Sequence, residues 1–187
     1  MDIEDAQREV RSVYIGGFGG QLVSSVIWLV SAALGTWVTP KASILTVVIG
    51  GFFIFPVTQM LLHLSGRRAS VSRENPFNSL GMQIAFVLGF SMLLLLPVGH
   101  YELNLFFPAL MVLVGAHYLP FATLYGMRMF LVLAGILIAM GVVIALCFSR
   151  TFSLGAWITG LALFVFAWIG RSIATGEASA PSTHLSA

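Results

Sequence analysis

The sequence predicts an all-α, polytopic membrane protein with six transmembrane helices and both termini on the cytoplasmic side. Three observations carry that expectation. Hydrophobic residues make up 58% of the 187 positions and charged residues 9%, where a soluble domain carries about a quarter charged, and the mean hydropathy is +0.97. The charges sit in short islands that leave apolar runs of roughly 20 residues, the length that crosses ~30 Å of hydrocarbon. Basic residues also segregate: with the N-terminus inside, Arg8, Arg11, Arg67, Arg68, Arg73, Arg128 and Arg171 fall on the cytoplasmic side, and only Lys41 and Arg150 fall outside. Lysine and arginine favour the cytoplasmic side of a membrane.

The spans read as 14–38, 43–64, 78–98, 105–125, 129–148 and 152–169. Residues 1–13 form an acidic, mixed segment unlike the positive start of a signal peptide, so the first span is expected to be retained. The transmembrane domain covers 14–171, and the small polar stretch 172–187 is expected to be a disordered cytoplasmic tail. Tyr14 and Trp168 fall at the inner interface and Trp37 and Trp157 at the outer one, whereas Trp28 falls mid-span. "NPFN" at 75–78 reads as a helix start, with Asn75 as N-cap and Pro76 at the first position. "YIGGFGGQ" at 14–21 sets Gly16 and Gly20 in GxxxG spacing, which predicts close helix packing.

Two pairs of stretches suggest a parallel two-helix repeat relating spans 1–2 to spans 3–4. "GGQLV" at 19–23 is similar to "GMQIA" at 81–85, and "GFFIFP" at 51–56 to "GAHYLP" at 115–120. The repeat would place Gln21 beside Gln83 in kind, and Pro56 beside Pro120. Each proline removes a backbone hydrogen bond, freeing the carbonyl one turn earlier, at Phe52 and Ala116. Pro56 and Pro120 are therefore candidate hinges.

Polar side chains inside the spans are few and share a depth. At ~1.5 Å per residue, Gln21, Gln59, Gln83 and His117 all lie about 7–12 Å from the inner boundary. Helical stripes extend each of them: Gln21, Ser24 and Trp28 on the first span, Phe52, Pro56 and Gln59 on the second, His117, Phe121 and Tyr125 on the fourth. These residues, with Tyr118, form the expected ligand-binding set in a cleft among spans 1–4, open toward the cytoplasm. Tyr118 lies off the His117 stripe. The competing reading is interhelical glue, since glutamine, serine and histidine also join membrane helices.

Absences narrow the chemistry. No Asp, Glu, Lys or Arg lies inside a span, which argues against carboxylate proton relays, charged selectivity rings, and paired-aspartate or HExxH hydrolases. A serine nucleophile with His117 as base would lack a carboxylate to orient it. His63 and His117 are about 11 Å apart along the membrane normal, too far for bis-histidine haem. No metal site, cofactor or catalytic residue is assigned. Cys147 is the lone cysteine, and no basic face is long enough to follow nucleic acid.

"GAHYLPF" at 115–121, "YIGGFGG" at 14–20 and the overall length resemble an uncharacterised group of small bacterial multi-helix membrane proteins. That resemblance implies a location in the bacterial cytoplasmic membrane and supplies no activity. The expected function is binding or transport of a small neutral or hydrophobic solute, with membrane lipids as surroundings and no nucleic-acid partner. Two alternatives stand beside it: a non-catalytic accessory or assembly subunit, and a lipid-acting membrane enzyme. Small-residue pairs on spans 5 and 6 offer a face for self-association.

Overall fold

A computed structural model describes residues 1–66, 70–148 and 150–178. Arg67 and Arg68 of the orientation argument, and positions 179–187 of the expected tail, lie outside the described residues. The described residues are mostly helical with no strand, and six helices are long and apolar enough to cross a membrane. The chain is a multi-pass membrane protein.

The first thirteen residues hold a helix the sequence reading missed. Helix α1, Ile3–Tyr14, starts at Asp2, whose carboxylate accepts from the Glu4 and Asp5 amides at 2.8 and 3.1 Å. Ala6 and Val10, one turn apart, are its buried residues. It ends in three successive left-handed residues, Ile15 (φ 52), Gly16 (φ 62) and Gly17 (φ 84), which turn the chain into α2, Phe18–Trp37. The glycines adopt this conformation without a Cβ penalty, and Ile15 carries about 1–2 kcal/mol of strain. "YIGGFGG" is thus chiefly a turn. Gly16 also packs closely, its missing Cβ leaving room for the Gly170 carbonyl, but Gly20 faces Thr58 on a different helix. The expected GxxxG pair therefore does not serve one interface.

Helix α3, Pro40–Leu64, begins at Thr39, which caps the Ala42 amide, with Pro40 in the first turn. It is clasped to α2 by a buried serine exchange: Ser31 Oγ donates to the Ser43 carbonyl (2.8 Å), and Ser43 Oγ to the Ser31 carbonyl (2.6 Å). The third span runs as α4, Asn78–Ser91, a tightened 3-10 turn at Met92–Leu94, and α5, Leu95–Tyr101. Pro97 explains the tightening, because it has no N–H for the Leu93 carbonyl and its ring crowds that carbonyl. Asn75 bonds the Phe77 amide at 2.9 Å ahead of α4.

Helices α6, Phe106–Tyr125, and α7, Met129–Cys147, form a tight hairpin across Gly126 (φ 64). Gly115 lies against Ala134 and Ile138, and Gly141 against the Pro108 carbonyl, so the backbones approach where no side chain intervenes. Phe107, Leu110, Met111, Phe130, Leu133 and Leu137 fill the seam. Helix α8, Leu154–Ala178, packs along α2, where Ser25 Oγ donates to the Gly160 carbonyl at 2.8 Å and Gly160 meets Leu29. Residues 172–178 are helical and extend α8, which corrects the tail boundary expected at 172.

Helices α2, α6, α7 and α8 make the centre; α3 flanks α2, and α4 flanks α6. The small residues of the last two spans are thus largely spent inside the chain, at Gly141, Ala156 and Gly160, while Gly135 and Ala139 of α7 face outward.

Candidate functional site

Among the described residues, the buried side-chain nitrogens and oxygens that lack a hydrogen-bond partner belong to three residues. They are both amide atoms of Gln21, Oε1 of Gln59 and Nδ1 of His117. Each is costly to leave unpaired, about 1–3 kcal/mol for a neutral group. Elsewhere the interior serines and threonines point to carbonyls: Ser25, Ser31, Ser43, Thr58 and Thr159 all donate within the bundle.

The three residues come from α2, α3 and α6 near the end of the bundle that carries α1. Gln21 is 3% exposed and one turn beyond Gly17. A Cβ on Gly17 would sit 3.2 Å from Phe130 Cζ and 3.8 Å from Tyr125 Cζ, so the left-handed turn is what lets these rings reach α2. Gln59 follows Thr58, which packs on Gly19 and Gly20, and its amide engages the Tyr14 hydroxyl. His117 lies edge-on to Tyr118 (ring centroids 5.8 Å), tilted on Phe121 (5.1 Å), and meets the Ile84 backbone of α4.

Aromatic rings surround His117 and extend to the Gly17 turn that precedes Gln21. Tyr118 stacks on Phe130 at 6.0 Å, and Phe121 stacks on Tyr125 at 5.7 Å. Phe130 is fully buried and also touches Phe121 (5.6 Å) and Tyr125 (5.0 Å). Tyr118 therefore belongs to the same cluster as His117 although it lies off the helical stripe. The sequence reading missed Phe130 and Tyr14. The short turn at Gly126 was the available signal for Phe130, since it folds the first turn of α7 back against the last two turns of α6.

Helix α1 closes this end. Gln7 Nε2 donates to the Thr123 carbonyl (2.6 Å), and Arg11 donates to the Tyr125 carbonyl (2.6 Å) and to Glu177 (2.7 Å). On its other side Glu9 accepts from the Ser72 amide (2.7 Å), the Ser72 hydroxyl (3.0 Å) and Asn75 Nδ2 (2.8 Å). A helix with polar termini and a buried Ala6–Val10 face thus spans the loop before α4, the α6–α7 turn and the end of α8.

Not every expected residue reaches the cluster. Ser24 is buried on the Gln21 face, and Trp28 packs on Phe107 at 5.9 Å, filling the core between α2 and α6. Phe52 is 74% exposed, a correction to the expected set: α3 turns Ser43, Val47, Gly50 and Thr58 to α2, which leaves Phe52 on the opposite face. Gln83 is likewise exposed, because α4 presents Leu80, Ile84 and Leu88 to the core and position 83 points away from that line. The matching stretches around Gln21 and Gln83 therefore hold glutamines in opposite surroundings. Pro56 and Pro120 sit inside unbroken helices, Pro56 exposed and Pro120 half-buried.

The arrangement offers uncharged hydrogen-bonding groups walled by aromatic rings. Among the described residues no three His, Cys, Asp or Glu side chains gather as metal ligands. A comparison with protein families matches residues 3–172 to a family of unknown function, DUF7010. The comparisons with curated proteins and with solved structures found no match.

Proposed function

The chain belongs to that family, and we propose that it binds a small neutral molecule through Gln21, Gln59 and His117, and moves it between the membrane interior and the cytoplasm. The ligand carries a hydroxyl or amide group on an apolar body. Its polar end pairs with the two amides and the imidazole, while Ser24, Trp28, Tyr118, Phe121 and Tyr125 shape the walls. Such a mostly apolar site with a few convergent polar atoms is the usual form of a small-molecule pocket. The protein resides in a bacterial cytoplasmic membrane with both termini inside. Pro120, three residues after His117, is the hinge best placed to change the site, since its missing N–H frees the Ala116 carbonyl.

The observation that carries this reading is that, among the described residues, the unpaired buried side-chain polar atoms belong to these three. Interhelical glue alone would leave none of these particular atoms without a partner, as the serine hydroxyls are paired. The test is a thermal-shift screen of small neutral amphiphiles on purified wild type, a Gln21→Leu/His117→Leu double variant and a Gln83→Leu control. At least one compound should stabilise wild type and the control alike and fail on the double variant. If every stabilising compound acts equally on the double variant, the reading is wrong.

A further inference from the structure

Arg171 stands apart from the site above. Its guanidinium lies over two rings at once, 5.1 Å from the Phe18 centroid and 5.2 Å from the Trp168 centroid, and those rings meet edge-on at 5.2 Å. The ion pairs among the described residues are Arg8–Asp5 and Arg11–Glu177, so Arg171 has no carboxylate. The residue is exposed, and it follows Gly170, whose carbonyl-level contact with Gly16 sets it at the α1 end of the bundle, where α8 leaves its apolar stretch. Cation–π contact with these rings uses none of the guanidinium's N–H donors.

Around Arg171 the same helix presents a shallow, open apolar face formed by Phe164, Val165, Trp168, Ile169, Ser172 and Ile173. That face extends over positions 164–173, nine steps of ~1.5 Å or about 13 Å of helix, close to the ~15 Å depth of one hydrocarbon leaflet. Ser172 Oγ already donates to the Trp168 carbonyl, so the hydroxyl leaves that face without a free donor and the cationic recognition falls to Arg171 alone.

We propose that Arg171, Phe18 and Trp168 form a binding site for one anionic phospholipid, with the phosphate diester on the guanidinium and an acyl chain along the apolar face of α8 beside it. Charge complementarity selects the occupant. An unpaired guanidinium at the edge of the apolar belt takes a phosphate through two parallel N–H···O bonds, and the apolar wall favours a phosphate that carries acyl chains over free phosphate. This site is independent of the Gln21–Gln59–His117 reading.

The test titrates delipidated, detergent-purified protein with phosphatidylglycerol, phosphatidylcholine or inorganic phosphate, reading bound lipid by native mass spectrometry and the unfolding midpoint in parallel. Phosphatidylglycerol should bind wild type and raise its midpoint, phosphatidylcholine should do so more weakly, and inorganic phosphate should do neither. Arg171→Gln should weaken phosphatidylglycerol binding roughly fivefold, the scale of one basic residue at an anionic surface, while Arg128→Gln at the same end should not. Arg171→Lys keeps the charge and loses the two-pronged geometry, so it should fall between wild type and Arg171→Gln; it also serves if the glutamine variant does not fold. Undiminished phosphatidylglycerol binding in Arg171→Gln or in Arg171→Lys overturns the proposal. So does an equal response of wild type to phosphatidylcholine, or a full midpoint shift from inorganic phosphate.

Discussion

Gln21 presents the clearest energetic conflict at the scale of single residues. Its amide is buried with neither atom bonded, and an orphaned group of this kind costs about 1–3 kcal/mol. Gln21→Leu, similar in size and without the polar atoms, should leave the ligand-free protein at least as stable as wild type. Stability that rises while ligand response disappears is the pattern of a binding residue. A loss of more than about 1 kcal/mol in Gln21→Leu, measured by reversible unfolding, would instead mark the amide as a structural bond. Gly16 makes the opposite case, because its left-handed φ and the Gly170 carbonyl both exclude a side chain. Gly16→Ala should destabilise by at least about 2 kcal/mol. Gly51→Ala, in mid-helix with nothing within 4 Å, should be neutral or stabilise by up to about 1 kcal/mol. Gln21, Gln59 and His117, whose buried atoms lack partners, stood out in the sequence because glutamine and histidine are rare inside apolar spans and shared a depth. Gln83 misled because depth says nothing of azimuth: a single step along α4 separates buried Ile84 from exposed Gln83.

The elements show which signals a sequence carries strongly. Long apolar runs mark the six spans to within four residues at every end but one, α8 running to Ala178 where the apolar run ends at 169, since hydrocarbon thickness imposes their length. Helix α1 was missed for the converse reason: it is short and polar, and its register is declared only by Asp2 and the Ala6–Val10 spacing. Its docking rests on hydrogen bonds to partners more than a hundred residues away, Thr123, Tyr125 and Glu177, which local pattern does not reveal. Arg11 is the central contact. Hydrogen bonds to a charged group are worth about 1.5–3 kcal/mol, so Arg11→Ala should speed amide hydrogen exchange across residues 3–14 by roughly tenfold or more. Arg8→Ala, which removes only an exposed pair with Asp5 at 3.6 Å, should leave that exchange near wild type. Equal protection in the two variants would show that α1 is held by its buried face alone.

Across the whole molecule, two helices of the central four, α7 and α8, offered in sequence only small-residue pairs for self-association, because they carry almost no polar groups. In the fold they supply Phe130, the Gly160 carbonyl that receives Ser25, and Glu177, which receives Arg11. Uniform apolarity hides which face of a helix is covered, so this arrangement was not readable from hydropathy. The basic-residue asymmetry predicts that, with Cys147→Ser to remove the native thiol, single cysteines at Ser72 and Ser172 react with a membrane-impermeant thiol reagent only after cells are opened. A cysteine at Thr39 should react from outside. Reversed labelling would invert the topology and with it the cytoplasmic entry to the site. The central claim, that amides and an imidazole from three spans hold a ligand, is tested most directly by an experimental density map of protein purified without delipidation or additive. The account predicts non-protein density within hydrogen-bonding distance of both Gln21 and His117. Gln21 bonded instead to Gln59, His117 or a backbone carbonyl, with nothing between the side chains, would contradict it.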